Sequence, residues 1–293
     1  MLEDFEAVDV DVDGARIHAV VAGSGPPVLL LHGYPQTHVM WHRVAPDLAE
    51  RHTVVLPDLR GYGDSSRPPS QPDHGSMSKR AMAADQVALM RGLGFERFAV
   101  VGHDRGARVA HRLCLDRTDV VSRVALLDIV PTRHVFGHVD RALAQAYYHW
   151  FFLAQDPDLP EHLIGADTDY YLRRKLAQWA GGGGIDAFAP EAVEDYLRCF
   201  RDPEVVRASC EDYRAGASID LEHDEVDAAA GRRIGCPALV LWGAEGFVGR
   251  SYDVLGVWRD YADDVRGHAV GSGHFVAEEQ PGETTAALRD FLG

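Results

Sequence analysis

The stretch Gly102-His103-Asp104-Arg105-Gly106 has the spacing of a nucleophile turn. In the pattern Gly-x-nucleophile-x-Gly, the glycines let the backbone crowd together and lift the central side chain above a sheet. Here the central residue is Asp104, following the apolar run Phe98–Val101 and preceding a helical pattern over 106–117. An Asp before a helix can also be a simple N-cap, but the complete frame in this context favours a nucleophile. A carboxylate nucleophile suits displacement at a saturated carbon that bears a leaving group. It leaves an alkyl ester, which water must then cleave. No Gly-x-Ser-x-Gly occurs, which argues against a serine esterase or lipase, and Gly61-Tyr-Gly63 lacks the third glycine of a dinucleotide fingerprint.

Cleaving the ester requires a general base, an acid to orient it, and donors for the oxyanion. Of fifteen histidines, His274 in Gly271-Ser-Gly-His-Phe-Val stands late in the chain, before the last helical pattern, where such a base belongs. His103 lies on a strand beside the nucleophile and should point away from it; His32 is expected to brace the oxyanion loop. Two acids compete to orient His274. Asp128 ends the strand after the nucleophile helix, and Glu245 follows a later strand in a glycine-flanked turn. A buried strand end favours Asp128. The backbone N–H groups of Tyr34 and Arg105 are the expected oxyanion donors. Arg105 and Arg108 share a helix face beside Asp104. Their forked donors suit a substrate carboxylate and would offset its repulsion from an anionic nucleophile. Arg112, a turn further on, is expected to be structural.

Short apolar runs at 27–32, 53–58, 98–102, 123–128 and 237–243 alternate with helical patterns at 76–93 and 106–117, after a hairpin over 8–21 turning at Asp13-Gly14. Such alternation predicts a mostly parallel α/β sheet flanked by helices. Between 131 and 230 the chain reads as helical and aromatic, broken by Gly181–Gly184, which is expected to be a loose surface loop. The reading is therefore a core of 1–130 and 231–293 with a helical cap, 131–230, inserted over the site. A net charge of −16 argues against nucleic acid or an anionic membrane as partner. The four cysteines show no metal-ligand spacing, no apolar run approaches a membrane span, and the acidic N-terminus lacks a signal pattern. These features point to a cytoplasmic protein with no metal and no organic cofactor. Lysine occurs only at Lys79 and Lys175.

Nearly end to end, the chain resembles the fluoroacetate (haloacetate) dehalogenases of the α/β-hydrolase superfamily. The resemblance rests on His32-Gly-Tyr-Pro-Gln36, Asp58-Leu-Arg-Gly-Tyr-Gly-Asp-Ser65, Gly102-His-Asp-Arg-Gly-Ala-Arg108, Asp128-Ile-Val-Pro-Thr132, Tyr148-His-Trp-Phe-Phe152, Asp212-Tyr-Arg-Ala215 and Gly273-His-Phe275. The first two occur in many α/β-hydrolases, whereas Asp-Arg-Gly-x-Arg with the cap His-Trp pair and Tyr is far more specific. The resemblance implies attack by Asp104 on a halogen-bearing carbon and water activation by His274 held by Asp128. It also implies carboxylate binding by Arg105 and Arg108, halide capture by His149, Trp150 and Tyr213, and a homodimer. Read without it, Tyr147–Phe152 would more often be cap core. The substrate implied is a small anionic 2-haloacid such as fluoroacetate, converted to glycolate. Tyr34, where Phe is common in that family, and the extra acid Glu245 are departures.

An epoxide hydrolase is the nearest rival. It shares the Asp-His-acid machinery and uses two cap tyrosines, for which Tyr148, Tyr171 and Tyr213 are available. A neutral epoxide, like a neutral haloalkane, gives no reason for the two arginines. A non-catalytic ligand receptor on the same scaffold would not need the complete Asp104, Asp128 and His274 set.

Overall fold

Two antiparallel strands, β1 (Glu6–Val12) and β2 (Ala15–Ala22), form the opening hairpin of the computed structural model, which describes residues 1–293. The apolar runs become β3 (Pro27–Leu31), β4 (Thr53–Pro57), β5 (Phe98–His103), β6 (Val121–Leu127) and β7 (Ala238–Gly243). Their Val, Leu and Ala side chains face helices on both sides, which is why these strands read as unbroken apolar runs. The final strand, β8 (Val265–Val270), was not anticipated. It closes one edge of the sheet, and its half-exposed Val-Arg-Gly-His-Ala-Val carries no apolar run.

The sheet order is β1-β2-β4-β3-β5-β6-β7-β8, with every pair from β4 onward parallel. The chain moves from β3 outward to β4, then crosses back to β5 on the other side of β3. That reversal creates a crevice at the carboxyl ends of β3 and β5, the place where open α/β sheets bind ligands. Tyr34 follows β3, Asp104 follows β5, Asp128 follows β6, Glu245 follows β7 and His274 follows β8.

Between β6 and β7 the chain forms eight α-helices, from Thr132–Gly137 to Ile219–Ala229. We read this segment, 131–230, as the cap. Helix Tyr148–Leu153 turns His149 and Trp150 inward, and helix Pro203–Gly216 is buried along most of its length. Buried side chains of cap and core belong to one continuous apolar cluster.

Candidate active site

The turn after β5 has the geometry expected of it. Asp104 sits at φ 47°, ψ −114°, a strained conformation for a non-glycine residue. The flanking glycines permit it. A Cβ on Gly102 would meet the Gly106 carbonyl at 2.5 Å, and one on Gly106 would meet the His32 carbonyl at 2.3 Å. The two carboxylate oxygens of Asp104 have different surroundings. Oδ1 accepts the Tyr34 N–H at 2.9 Å. Oδ2 stands 3.8 Å from His274 Nε2, beyond hydrogen-bond reach, and makes no hydrogen bond. The Arg105 N–H, first in the helix Arg105–Asp116, has no intrahelical acceptor.

His274 Nδ1 lies 2.6 Å from Asp128 Oδ2, and Asp128 Oδ1 accepts the Gly243 N–H at 2.9 Å. The structure thus brings Asp128, not Glu245, to the histidine. Glu245 is exposed at the cavity rim, where it accepts the Gly182 N–H at 3.3 Å. Burial opposes charge on His274, but the Asp128 hydrogen bond and the charges of Asp128 and Asp104 outweigh it and raise its pKa. Burial likewise pushes the Asp104 carboxyl up. His274, His103, Arg108 and Arg105 more than offset this and hold it at about 2, so it is ionised at neutral pH.

Arg105 and Arg108 differ in their partners. Arg105 is gripped by Asp212, which accepts from Nε at 2.8 Å and Nη2 at 2.6 Å, while the Tyr213 ring lies 4.2 Å below the guanidinium carbon. Arg108 donates from Nη1 to the Val130 carbonyl and to Thr132 Oγ1, each at 3.0 Å, and its Nε has no acceptor. Its guanidinium carbon stands 4.5 Å from the Trp150 ring centre. Arg108 is therefore a buried cation whose hydrogen-bond acceptors are all neutral, and burial lowers its pKa against the opposing charge of Asp104. Arg112 is ion-paired with Asp116, Asp224 and Asp227, as a structural residue would be.

A cavity of about 610 Å³ opens onto Asp104, Asp128 and His274, and His149, Trp150 and Trp179 form part of its wall. Tyr213 packs against this group from below, its ring 5.7 Å from His149 and 6.3 Å from Trp150. The Tyr213 hydroxyl and His149 Nδ1 are both buried without a hydrogen-bond partner. Unspent donors in a buried site are costly unless something fills them. The tyrosines named for an epoxide are placed differently. Tyr148 is half-exposed and accepts from Lys175, Tyr171 accepts from the Tyr34 hydroxyl at 3.1 Å, and Tyr147 lines the cavity instead.

Residues 26–281 match the family model for the alpha/beta hydrolase fold. Over 292 residues the chain is 49% identical to the fluoroacetate dehalogenase of a Burkholderia species, covering 100% of this chain and 95% of that protein. The chain belongs to the fluoroacetate dehalogenase family of α/β-hydrolases. It is also 38% identical over 272 residues to a soluble epoxide hydrolase of Corynebacterium sp. (strain C12), covering 92% and 91% of the two chains. A crystal structure from Nostoc sp. PCC 7120, described as an alpha/beta hydrolase, superposes with a TM-score of 0.97 at 57% identity, covering 100% and 99%.

Three contributors to this dehalogenase-family site escaped the sequence reading. Asp212 anchors Arg105; its place beside Tyr213 was the available signal. His103 packs beside the base: its Nε2 lies 2.9 Å from the His274 carbonyl oxygen and its ring centre is 4.5 Å from that imidazole. Burial holds the His103 pKa at about 3, so it is neutral. Glu279 accepts the N–H groups of Gly273, Phe275 and Gly181, fixing the His274 loop and the glycine run together. The loose loop expected at Gly181–Gly184 is thus corrected: Gly181 and Gly182 are tied to carboxylates of the core at the cavity rim. His32 ties the loop after β3 to the loop after β4, with Nε2 accepting from the Leu59 N–H at 2.9 Å and Nδ1 lying 3.1 Å from the Gly33 carbonyl oxygen. No helix is long and apolar enough to cross a membrane.

Proposed function

We propose that the protein hydrolyses the carbon–halogen bond of a small 2-haloacid such as fluoroacetate, giving the 2-hydroxy acid (glycolate) and halide. The observation that carries this reading is Arg108, a buried guanidinium beside the nucleophile turn that meets only neutral acceptors. A substrate carboxylate would supply the charge-assisted hydrogen bonds that Arg108 lacks, since the nearby Asp104 charge makes none with it. It would place the α-carbon over Asp104, between the arginines and the unspent donors of His149 and Tyr213.

In the first step Asp104 Oδ2 forms a bond to the α-carbon as the carbon–halogen bond breaks. The halide departs with the bonding pair toward His149, Trp150 and Tyr213. Imidazole, indole and phenol hydrogens suit an anion whose charge grows in the transition state. The ester carbonyl then lies at Oδ1, where the Tyr34 N–H already sits and the Arg105 N–H is free. In the second step His274 Nε2 takes a proton from a water that attacks Asp104 Cγ. Its imidazolium, paired with Asp128, returns that proton to the departing glycolate oxygen. Asp104 is regenerated, and the sum is haloacid plus water giving hydroxy acid, halide and a proton.

The relative named fluoroacetate dehalogenase supports this reading. The relative named epoxide hydrolase, with Tyr147 in the cavity and the unpartnered Tyr213 hydroxyl, supports a second: epoxide opening by the same nucleophile. A neutral epoxide would leave Arg108 without a charged hydrogen-bond acceptor, so we favour the haloacid.

Halide release from fluoroacetate and chloroacetate, measured beside styrene oxide turnover, separates the two. Fluoride release that is lost in Arg108→Ala is the expected result. Styrene oxide opening with no action on either haloacid would overturn it.

A further inference from the structure

The chain has two lysines among its many arginines, and both are buried. Lys79 is paired with Asp212 and Asp220. Lys175 has no carboxylate partner. Its Nζ donates to the Tyr148 hydroxyl and, at 3.4 Å, to Gln178 Oε1. Three rings surround the ammonium, with centres at 3.9 Å for Tyr148, 5.3 Å for Trp179 and 5.6 Å for Tyr171. Carboxylates of neighbouring helices are engaged by other cations: Glu161 by Arg214, Glu194 by Arg201 and Asp195 by Arg198. The other titratable neighbours are His149 and Arg174. An aromatic cage offsets only part of the cost of burying an unpaired ammonium.

The cage is shared with the site. Tyr148 precedes His149 on its helix, and the Trp179 ring lies 4.4 Å from the His149 imidazole and lines the cavity. We infer that Lys175 is a positioning residue that acts through His149, setting a positive charge near the imidazole that receives the leaving halide. This inference rests on the dehalogenation reading above and assigns a further residue to it.

Two physical consequences make the arrangement useful. Burial first, then the Lys175 charge, holds the His149 pKa well below its ordinary value. A charged His149 would pair with Asp104 and quench the nucleophile, whereas a neutral one offers its N–H to the halide alone. The ammonium's field also falls on the anion as it forms, in a site where it is poorly screened. Fluoride, the most charge-dense halide, depends on this most.

The test compares Lys175→Met, Lys175→Arg and wild type on fluoroacetate and chloroacetate from pH 6 to 10, with thermal melts to check folding. In Lys175→Met, fluoride release should fall roughly 30-fold and chloride release less than about 3-fold. Burial, then Arg174, lowers the Lys175 pKa to about 8. The protonated form is the helpful one, so wild-type fluoride release should decline as pH rises through that range. The decline should vanish in Lys175→Met and move upward in Lys175→Arg. Tyr148→Phe keeps the lysine but removes its acceptor, so the decline should move to lower pH; this variant serves if Lys175→Met does not fold. Bromide titration read by tryptophan fluorescence needs no turnover. Weaker bromide binding in Lys175→Met without dehalogenation by wild type would sink the haloacid reading and keep the role of Lys175 at an anion site. Equal slowing of both halides, or an unmoved pH profile with unchanged bromide binding, would overturn the inference.

Discussion

At the scale of single residues, the proposed chemistry divides the two oxygens of Asp104 between two tasks. Oδ1 is already held by the Tyr34 N–H, as an ester carbonyl would be, and Oδ2 is left to attack. Replacing Asp104 with Asn should lower turnover by at least about 10³-fold without unfolding the protein, as steady-state rates and a thermal melt would show. Replacing His274 with Ala should stop the reaction at the ester. Mass spectrometry of the intact variant after fluoroacetate treatment should then find one added carboxymethyl group on Asp104; an unmodified chain would refute the covalent step. His274 must be neutral to accept a proton, and Asp128 and Asp104 raise its pKa. Activity should therefore appear as pH rises through that raised value. Asp128→Asn removes the largest raising influence, so its acid limb should lie at lower pH, with a rate reduced by about 10³ from the lost orientation.

At the scale of elements, helix Pro203–Gly216 links the cap to helix Arg105–Asp116. It carries Tyr213 to the proposed halide position and, one residue earlier, Asp212 to Arg105. Asp212 also accepts from Tyr62 at 2.7 Å and from Lys79, so one carboxylate ties two core cations and a phenol to the cap. Asp212→Asn leaves Arg105 and Lys79 underpaired in a dry site. It should cost about 3 kcal/mol of stability and raise KM for haloacids, whereas Tyr62→Phe should cost about 1 kcal/mol and leave KM nearly unchanged. Denaturant melts and steady-state kinetics on both variants would check the contrast; equal effects would argue that Asp212 does no more than fill space. The neighbouring Gly181–Gly184 run shows how a compositional signal misleads. Glycines suggested slack, but Gly181 packs so tightly against the His274 loop that a Cβ on Gly273 would approach the Gly181 nitrogen to 2.2 Å.

At the scale of the molecule, cap and core are joined by a buried polar knot. Glu278, four residues after His274, accepts from Tyr196 of helix Pro190–Phe200 and, at 3.1 Å, from Gln36 in the loop after β3. Its second oxygen has no partner. Burial raises its pKa to about 7, against the opposing influence of Tyr196, Arg43 and Gln36. The folded value lies above the unfolded one, so this group's stabilising contribution is full below the ordinary carboxyl range and is lost as pH rises through about 7. Relative to wild type, Glu278→Gln should therefore gain roughly 2 to 5 °C in Tm between pH 6 and pH 8.5. A constant difference across that range would show that Glu278 does not change protonation there.

Sequence and fold contributed different things to this account. Properties that live in a short stretch of chain could be read directly: the glycine frame around Asp104, the apolar runs that became parallel strands, the order of Asp104, Asp128 and His274, and the adjacent arginines. Each depends on local backbone sterics or on the period of burial along a few residues. The edge strand Val265–Val270 could not be read this way, because a half-exposed edge carries little apolar signal. Nor could the pairing of residues far apart in sequence. Whether Asp128 or Glu245 reaches His274 depends on which strand ends lie side by side, and here Asp128 is the one within 2.6 Å. That Arg105 is ion-paired with Asp212 while Arg108 hydrogen-bonds only neutral groups, and that Lys175 has no carboxylate partner, follows from how the cap helices pack on the sheet. Charge balance in a buried site is a sum over three-dimensional neighbours, and their identity is fixed only when the chain has folded.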